Sequence, residues 1–364
     1  MPCLLTPLRG AGHNAEVHSL WRAFDAAAAA TQRTLQTQLN LKVLAVEMGA
    51  KFIATLPDAS GGGGTFEPGF QAFGEDLLTI TQSESLSWAV VVADEQRAAF
   101  EASAVRAAQI EDPSGALAAQ ATLGIRELNA STGQFHAAAR APLYVVRWLT
   151  SPRSDPTLQI NRLQNLYSDA FRGPPLERAL RTNQTVMTPL APGLFKDRTT
   201  KNQSPPSSLV FAPTWVYTNG SSYGVPHAAS GNGTGRAFCS NGFHWTDVLA
   251  RSVPQSISSA LIVLQGPDNG THTFVWDGNA VSDGGDGDRS VGLLPRRLHR
   301  RSYAFTSHVT GSDWHVTLYP TPALERQFVS NAPRNTALAV IAASLACVLL
   351  FRCEPSRAGM LILC

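Results

Sequence analysis

The sequence is poor in charge and in cysteine. Charged residues are 15% of its 364 positions, against about 25% in an average soluble chain. Lys plus Arg is 29 and Asp plus Glu is 27, a formal net charge of +2. That balance excludes a strongly basic nucleic-acid binder and an acidic tail protein. Five cysteines exclude a disulfide-dense scaffold, and Cys239 is alone between Cys3 and Cys347. There is no glycine-rich phosphate loop, no Gly-x-Ser-x-Gly elbow and no His-Glu-x-x-His helix. No catalytic site is apparent, and no cofactor is expected. A hydrophobic fraction of 44% is too high for general disorder. The length suits one large domain or two modest ones, at about 100–200 residues each.

Long apolar runs are scarce, with one exception. Residues 335–351, NTALAVIAASLACVLLF, hold no charge and lie between Arg334 and Arg352. As a helix the run reaches about 26 Å, slightly short of a hydrocarbon core of about 30 Å, and arginine snorkelling covers the difference. A membrane-spanning helix is expected there; a buried helix of a globular domain is the alternative. Six sequons precede the run, at Asn129, Asn183, Asn202, Asn219, Asn232 and Asn269, and none follows it. They make these asparagines glycosylation candidates on a lumenal or extracellular face, or else simply polar loop residues. The first 15 residues lack the apolar stretch of a signal peptide.

Residues 15–56 are rich in helix formers, with Leu20, Phe24, Leu35, Leu39, Val43, Val46 and Phe52 in a broken stripe. One helix of that length spans about 60 Å, which suggests a stalk; a broken helical pair is the plainer reading. Pro57 and the glycine run 61–64 end it. A short helix follows over 66–80. Leu86 to Val92 reads as a buried strand, and Asp94 caps a helix over 95–108. Further strands are expected over 141–149, 186–190 and 209–217, the last on an edge or bulged because of Pro213. Pro174 and Pro175 open a helix through Arg181. Residues 219–235 read as a Gly/Ser-rich surface insertion. Strands over 259–264 and 271–276 flank Asn269–Gly270, a hairpin turn signal. The acidic stretch 283–288 reads as a loop, and 302–308 with 314–319 as an antiparallel pair.

Chemistry-bearing clusters are few. His308, Asp313 and His315 gather near one turn but are explained as exposed hairpin residues. His244 and Asp247 lack a third partner. Asp283, Asp286 and Asp288 miss the twelfth-position glutamate of a calcium loop. The basic run 296–301 suits a solvated loop or lipid headgroups. A small-molecule pocket is the better idea. Tyr144, Trp148, Phe211 and Trp215, mixed with Thr188, Thr214 and Asn165, give the apolar lining with few polar groups that a concave site needs. An ordinary core would carry the same mixture.

The string WAVVVADEQRAAFEA, Trp88 to Ala102, resembles a motif of the CHASE domain, a sensor found outside the cell in receptor histidine kinases and nucleotide cyclases. Trp88, Val92, Arg97, Phe100 and Glu101 fit, while Val90, Val91 and Ala93 stand where Pro, Arg and Pro are usual. GIREL at 124–128, Tyr144, Trp148 and Pro152 are similar to the next elements. So are the series Asn165, Ser168, Asp169, Arg172, Ala179, Asn183, Thr188, the pair Val216–Tyr217, and the strings at 242–245 and 311–318. The likeness covers about residues 15–320, in order.

The resemblance implies an α+β fold: a long N-terminal helix (15–58), then a sensor (66–320) of two PAS-like antiparallel-sheet subdomains. The distal one, about 82–217, would hold the ligand; the proximal one spans about 240–320. A linker (321–334), the membrane helix (335–351) and a short tail (352–364) would follow, with 1–14 unassigned. The implied ligand residues are Asn165, Tyr144, Trp148, Thr188, Leu190, Phe211 and Thr214. Asn165 stands where cytokinin-binding members carry Asp, so it offers an uncharged amide. A kinase or cyclase output domain is implied by analogy alone, and the chain reads as a fragment without it. The expected function is small-molecule sensing by a single-pass receptor ectodomain in the cell membrane, most of it extracellular. Its implied partners are an organic ligand, the membrane and a second copy paired through the N-terminal helix, with no nucleic acid. A glycosylated adhesion protein and a secreted hydrolase are the alternatives.

Overall fold

The computed structural model describes residues 5–55, 68–111, 121–129, 134–152, 163–191, 205–217 and 234–328. Its backbone is organised by one helix, α1 (Leu5–Thr55), 51 residues long. The apolar stripe becomes its buried side: Leu20, Phe24, Leu35, Leu39, Val46 and Ile53 have almost no exposure. Their spacings of four, seven and eleven residues place them on one face. Helix α2 (Pro68–Thr81) packs beside it. Lys42 of α1 is buried, its Nζ donating to the carbonyls of Thr81 and Gln82 at the C-terminal end of α2 and to Ser83 Oγ. A buried cation needs such acceptors, and a helix C-terminus supplies them.

The first sheet is built from β1 (Ser85–Ala93), β4 (Leu143–Pro152), β5 (Val186–Met187), β6 (Ser207–Tyr217) and β7 (Thr234–His244), in the order β4-β1-β7-β6-β5. A 3-10 turn (Asp94–Gln96), helix α3 (Arg97–Glu111) and the hairpin β2 (Arg126–Leu128) with β3 (Phe135–Ala137) intervene between β1 and β4. Helix α4 (Gly173–Thr182) follows β4, with prolines in its first turn and Asn183 left-handed as its C-cap. Pro213 lies beyond the reach of two-residue β5, which pairs only with Val210 and Phe211. There a missing N–H costs β6 no bond to β5, and the edge expectation for this proline matches its place.

Helix α5 (Trp245–Ser252) leads to the second sheet. This comprises β8 (Ala260–Gln265), β9 (Thr271–Trp276), β10 (Val281–Asp286), β11 (Tyr303–Val309) and β12 (Ser312–Pro320), in the order β10-β9-β8-β12-β11. Short helices α6 (Ser290–Leu293) and α7 (Arg296–His299) precede β11, and α8 (Pro322–Phe328) follows β12. All strand pairs in both sheets are antiparallel. In each sheet the first strand is an inner one and lies beside the sheet's last strand in sequence, β7 or β12.

The two sheets meet at tryptophan. The indole of Trp245 donates to Ser208 Oγ of β6 at 3.0 Å. Its ring centroid lies 4.6 Å from that of Trp314 on β12. Both indoles are fully buried.

Several expectations are corrected. The stretch 283–288 is no loop: Asp283 and Asp286 belong to edge strand β10. His272 of β9 holds it, with Nε2 2.6 Å from Asp283 Oδ1 and Nδ1 2.9 Å from Asp286 Oδ1. The irregular register between Asp283 and Gly285 gives the strand its bulge. The basic run near 296–301 is helical over Arg296–His299 rather than a loop, while Arg296, Arg297, Arg300 and Arg301 stay exposed as the solvated reading expects. Arg297 pairs with Glu325, His299 stacks on Tyr319, and Arg301 lies over Trp21.

The membrane expectation is corrected too. No helix among the described residues is long and apolar enough to cross a membrane. The segment 335–351, on which that expectation stood, lies outside them, as does residue 329 onward. The C-terminal membrane helix, the single-pass membrane partner and the placement of most of the chain outside a cell membrane are accordingly withdrawn. Pairing of two copies through the N-terminal helix is withdrawn for a separate reason. The apolar face of that helix is covered by the chain's own sheets. Of the sequon asparagines, 202, 219 and 232 lie outside the described residues. Asn129, Asn183 and Asn269 are exposed, the last two at left-handed turn positions that asparagine tolerates without any modification.

Candidate functional site

The first sheet has two unlike faces. Its inner face meets α1, α2 and α3. Leu86, Trp88, Val90 and Val92 of β1 point there, with Tyr144, Val146 and Trp148 of β4 and Val210 and Ala212 of β6. Three of the expected ligand residues fall on this inner face. Trp148 packs on Phe100, with centroids 5.4 Å apart. Thr214 Oγ1 donates to the carbonyl of Ala50 in α1 at 2.8 Å. The Tyr144 hydroxyl donates to Asp94 Oδ1 at 2.9 Å and accepts from Ala141 N and Arg97 Nη1. Arg97 also binds Glu101 and the Ala138 carbonyl, Arg140 binds Asp94, and Glu101 accepts from Ile125 N. The residues that carry the family likeness at 88–101 thus form one structural network that fixes β1, α3 and β4. The Arg140 and Tyr144 hydrogen bonds hold the Asp94 carboxyl below its ordinary pKa.

The outer face is different. Cross-strand register places Arg147, Ala89, Phe238 and Pro213 in one row, and Thr150, Ser87, Ser240 and Phe211 in the next. Three of the four positions on β1 and β7 in these rows are small, Ala89, Ser87 and Ser240, and the fourth is Phe238. All four are buried. Ser87 and Thr150 share a hydrogen bond of 3.0 Å. Residues 163–182 lie over this face, with Leu166, Leu176 and Ala179 packed against Val145, Phe211 and Phe238.

This cap is anchored along β4. Leu163 N donates to Arg147 O, Arg147 N to Gln164 O, and Leu166 N to Val145 O, all within 2.9 Å. Asn165 completes the anchor. Its Oδ1 accepts from Val145 N and Tyr167 N, each at 3.2 Å, and its Nδ2 donates to Glu127 Oε1 at 3.0 Å. The residue expected to hold a ligand thus spans the sheet edge, the cap and β2. Thr188 and Leu190 stand on the strand extension beyond β5. Thr188 Oγ1 accepts from Leu209 N, and Leu190 packs half-buried on the inner core. Of the seven expected residues the outer face directly gathers Phe211, with Asn165 at its margin.

Two arginines join them. Arg172 is buried at the start of α4. Its Nη1 donates to Asp169 Oδ2 at 3.0 Å, and its Nε is shielded without a partner. Asp169 Oδ1 meanwhile accepts from the backbone N–H groups of Phe171 and Arg172, so both carboxylate oxygens are occupied. Arg147 is half-buried as a residue, but its Nε is shielded from solvent and has no hydrogen-bond partner among the described residues. Burial first, and then repulsion from Arg172, pulls its pKa down to about 9; it remains charged at neutral pH. Burial lowers Arg172 as well, with Asp169 opposing. The signal for Arg147 was present in the sequence: it is the one charge in the strand string APLYVVRWL. Alternation alone did not decide which face it takes, because β4 bulges beside it.

Two antiparallel sheets leaning on one long helix, with a capped outer face on the first, define a tandem-sheet α+β module. No family model matches the sequence, and no curated protein matches it. Two solved structures are similar in outline. One is "Methyl-accepting Chemotaxis protein X", at 10% identity and a TM-score of 0.37, covering 84% of this chain and 98% of that one. The other is the periplasmic sensory domain of the Campylobacter jejuni chemoreceptor Tlp1, at 8% identity and a TM-score of 0.37, covering 83% and 93%. Neither structure is described as a CHASE domain.

Proposed function

We propose that the chain is a small-molecule sensor module whose ligand binds between the outer face of the first sheet and the cap 163–182. The observation that carries this reading is the outer face itself. A face that served only as core would be filled by large apolar side chains. Here the hydrophobic cluster under the cap (Val145, Phe211, Phe238) lies beside the hydroxyls of Ser87, Thr150 and Ser240, and Arg147 at the edge keeps a shielded Nε without a partner among the described residues. Apolar walls with a few directed polar groups are the ordinary make-up of a ligand pocket.

The architecture offers a route for a signal. Helix α1 touches the first sheet through Ala50–Thr214 and Glu47–Thr185, and the second through Gln36–His308. Trp245 bridges β6 and β12. A ligand that favours one arrangement of cap and first sheet would bias the second through these contacts. It would do so only as far as its affinity differs between the two arrangements. The CHASE sensor family is the narrower assignment, supported by the ordered sequence likeness and the long leading helix.

The test is a thermal-shift screen of the purified chain against a library of small metabolites. The sensor reading expects at least one compound to raise Tm by several degrees in a dose-dependent, saturable way. A library without a single saturable shift would favour the adhesion alternative and end this reading.

A further inference from the structure

We propose that the ligand presents a carboxylate, held between the guanidinium groups of Arg147 and Arg172 on the outer face of the first sheet. This inference rests on the sensor reading above and names the chemistry of its ligand.

The charge balance of the site points to it. Two arginines and one aspartate meet beneath the cap. Asp169 uses Oδ2 on Arg172 and Oδ1 on two backbone N–H groups. Its Oδ2 takes one bond, from Arg172, and none from Arg147. Each arginine keeps a shielded Nε without a hydrogen bond among the described residues; the two cations repel one another while Asp169 attracts Arg147. Two guanidinium groups therefore share one carboxylate, and each leaves a shielded donor unfilled. A shielded N–H without an acceptor costs stability unless something completes it. A carboxylate fits the deficit in sign and in shape, since its two oxygens match the parallel N–H groups of a guanidinium.

The neighbouring groups set the rest of the molecule. Beside Arg147 across the sheet are Ala89 and then Phe238; the next row offers the Thr150 and Ser87 hydroxyls, Ser240 and Phe211. Ala89, Ser87 and Ser240 give this face its small side chains, and Phe238 on β7 with Phe211 on β6 give its apolar part. A compact organic acid, anionic at one end and apolar or weakly polar at the other, suits this surface. A polyanion does not, because Asp169 limits the excess to one charge.

The experiment uses the full chain and matched acid–neutral pairs at constant ionic strength: acetate, propionate and benzoate against acetamide, propionamide and benzamide. Tm shifts and calorimetric affinities are read for the parent, Arg147→Met and Arg147→Lys. The expected result is that at least one acid binds and its neutral partner binds at least tenfold more weakly. Arg147→Met should abolish the difference while raising the Tm of the unliganded protein, because a shielded, unsatisfied donor is removed. Arg147→Lys, which keeps the charge but not the fork, should retain a weakened preference. Neutral compounds binding as well as acids, or acid binding unchanged in Arg147→Met, would overturn the carboxylate and leave the ligand site standing. Binding of neither class, with saturable shifts from other chemistry in the wider screen, would also reject it. Absence of any binder in both experiments rejects the site itself.

Discussion

The side-chain amide of Gln36 pairs with the backbone of His308 from both sides. Nε2 donates to the His308 carbonyl at 2.9 Å, and Oε1 accepts from its N–H at 3.2 Å. A glutamine on the long helix thereby behaves as a neighbouring strand would for β11, the edge of the second sheet. It satisfies backbone groups that an edge leaves open. Replacing Gln36 by Ala should cost about 1 kcal/mol, the ordinary net worth of such bonds near a surface. Gln36→Glu should lose part of that, since it keeps an acceptor but not the donor. Urea denaturation of both variants measures the difference.

Gly49 sets how closely α1 approaches the first sheet. A Cβ there would overlap the Sγ of Cys239 on β7, a fully buried thiol. Gly49→Ala should therefore destabilise by about 1–3 kcal/mol, the usual range for overpacking, despite the better helix propensity of alanine. Cys239→Ala in the same chain should recover most of the loss. A double-mutant cycle that shows simple additivity would contradict the contact. Burial pushes the Cys239 thiol far above its ordinary pKa, so the native protein should resist thiol alkylation at that position until it unfolds.

Asn165 tests how the cap is held. Asn165→Asp keeps an oxygen for Val145 N and Tyr167 N but puts a carboxylate against Glu127. The substitution should lower stability by about 1–3 kcal/mol, as for a lost buried hydrogen bond with added like-charge repulsion. It should also speed amide exchange over 163–166. Lowering the pH toward the carboxylate range should relieve part of the loss.

Asp94 gives a pH signature. The Arg140 and Tyr144 hydrogen bonds lower its folded pKa. Its contribution is therefore complete above the ordinary value of about 3.9 and is lost as pH falls through the lower folded value. Tm measured from about pH 6 down to about pH 2 should fall more steeply in the parent than in Asp94→Asn across the acidic end of that range. Identical slopes would remove Asp94 from the network.

Much of this fold is legible in the amino-acid order. The stripe from Leu20 to Phe52 marks α1, and Leu86–Val92, Leu209–Tyr217 and the Asn269–Gly270 hairpin mark strands, because local periodicity and turn chemistry act over a few residues. What depends on distant partners is not. DGGDGD reads as a loop until His272, eleven residues before Asp283, grips it at two points. Tyr144, Trp148 and Thr214 look like pocket aromatics and hydroxyls, yet register turns them toward α1 and α3. Sequence alternation names two sets of residues; only the identity of the covering layer tells which set is core. Arg147 lies in the other set, and its meaning appears only once Arg172 and Asp169 are brought over it.

The most direct test of the sensor account is hydrogen–deuterium exchange of the full chain with and without the compound that gives the largest saturable Tm shift. The account predicts slowed exchange in β4 and the cap, over 143–148 and 163–182, together with a change at α5 and β12 around Trp245 and Trp314. Protection confined to other elements, with β4 and the cap unchanged, would contradict it.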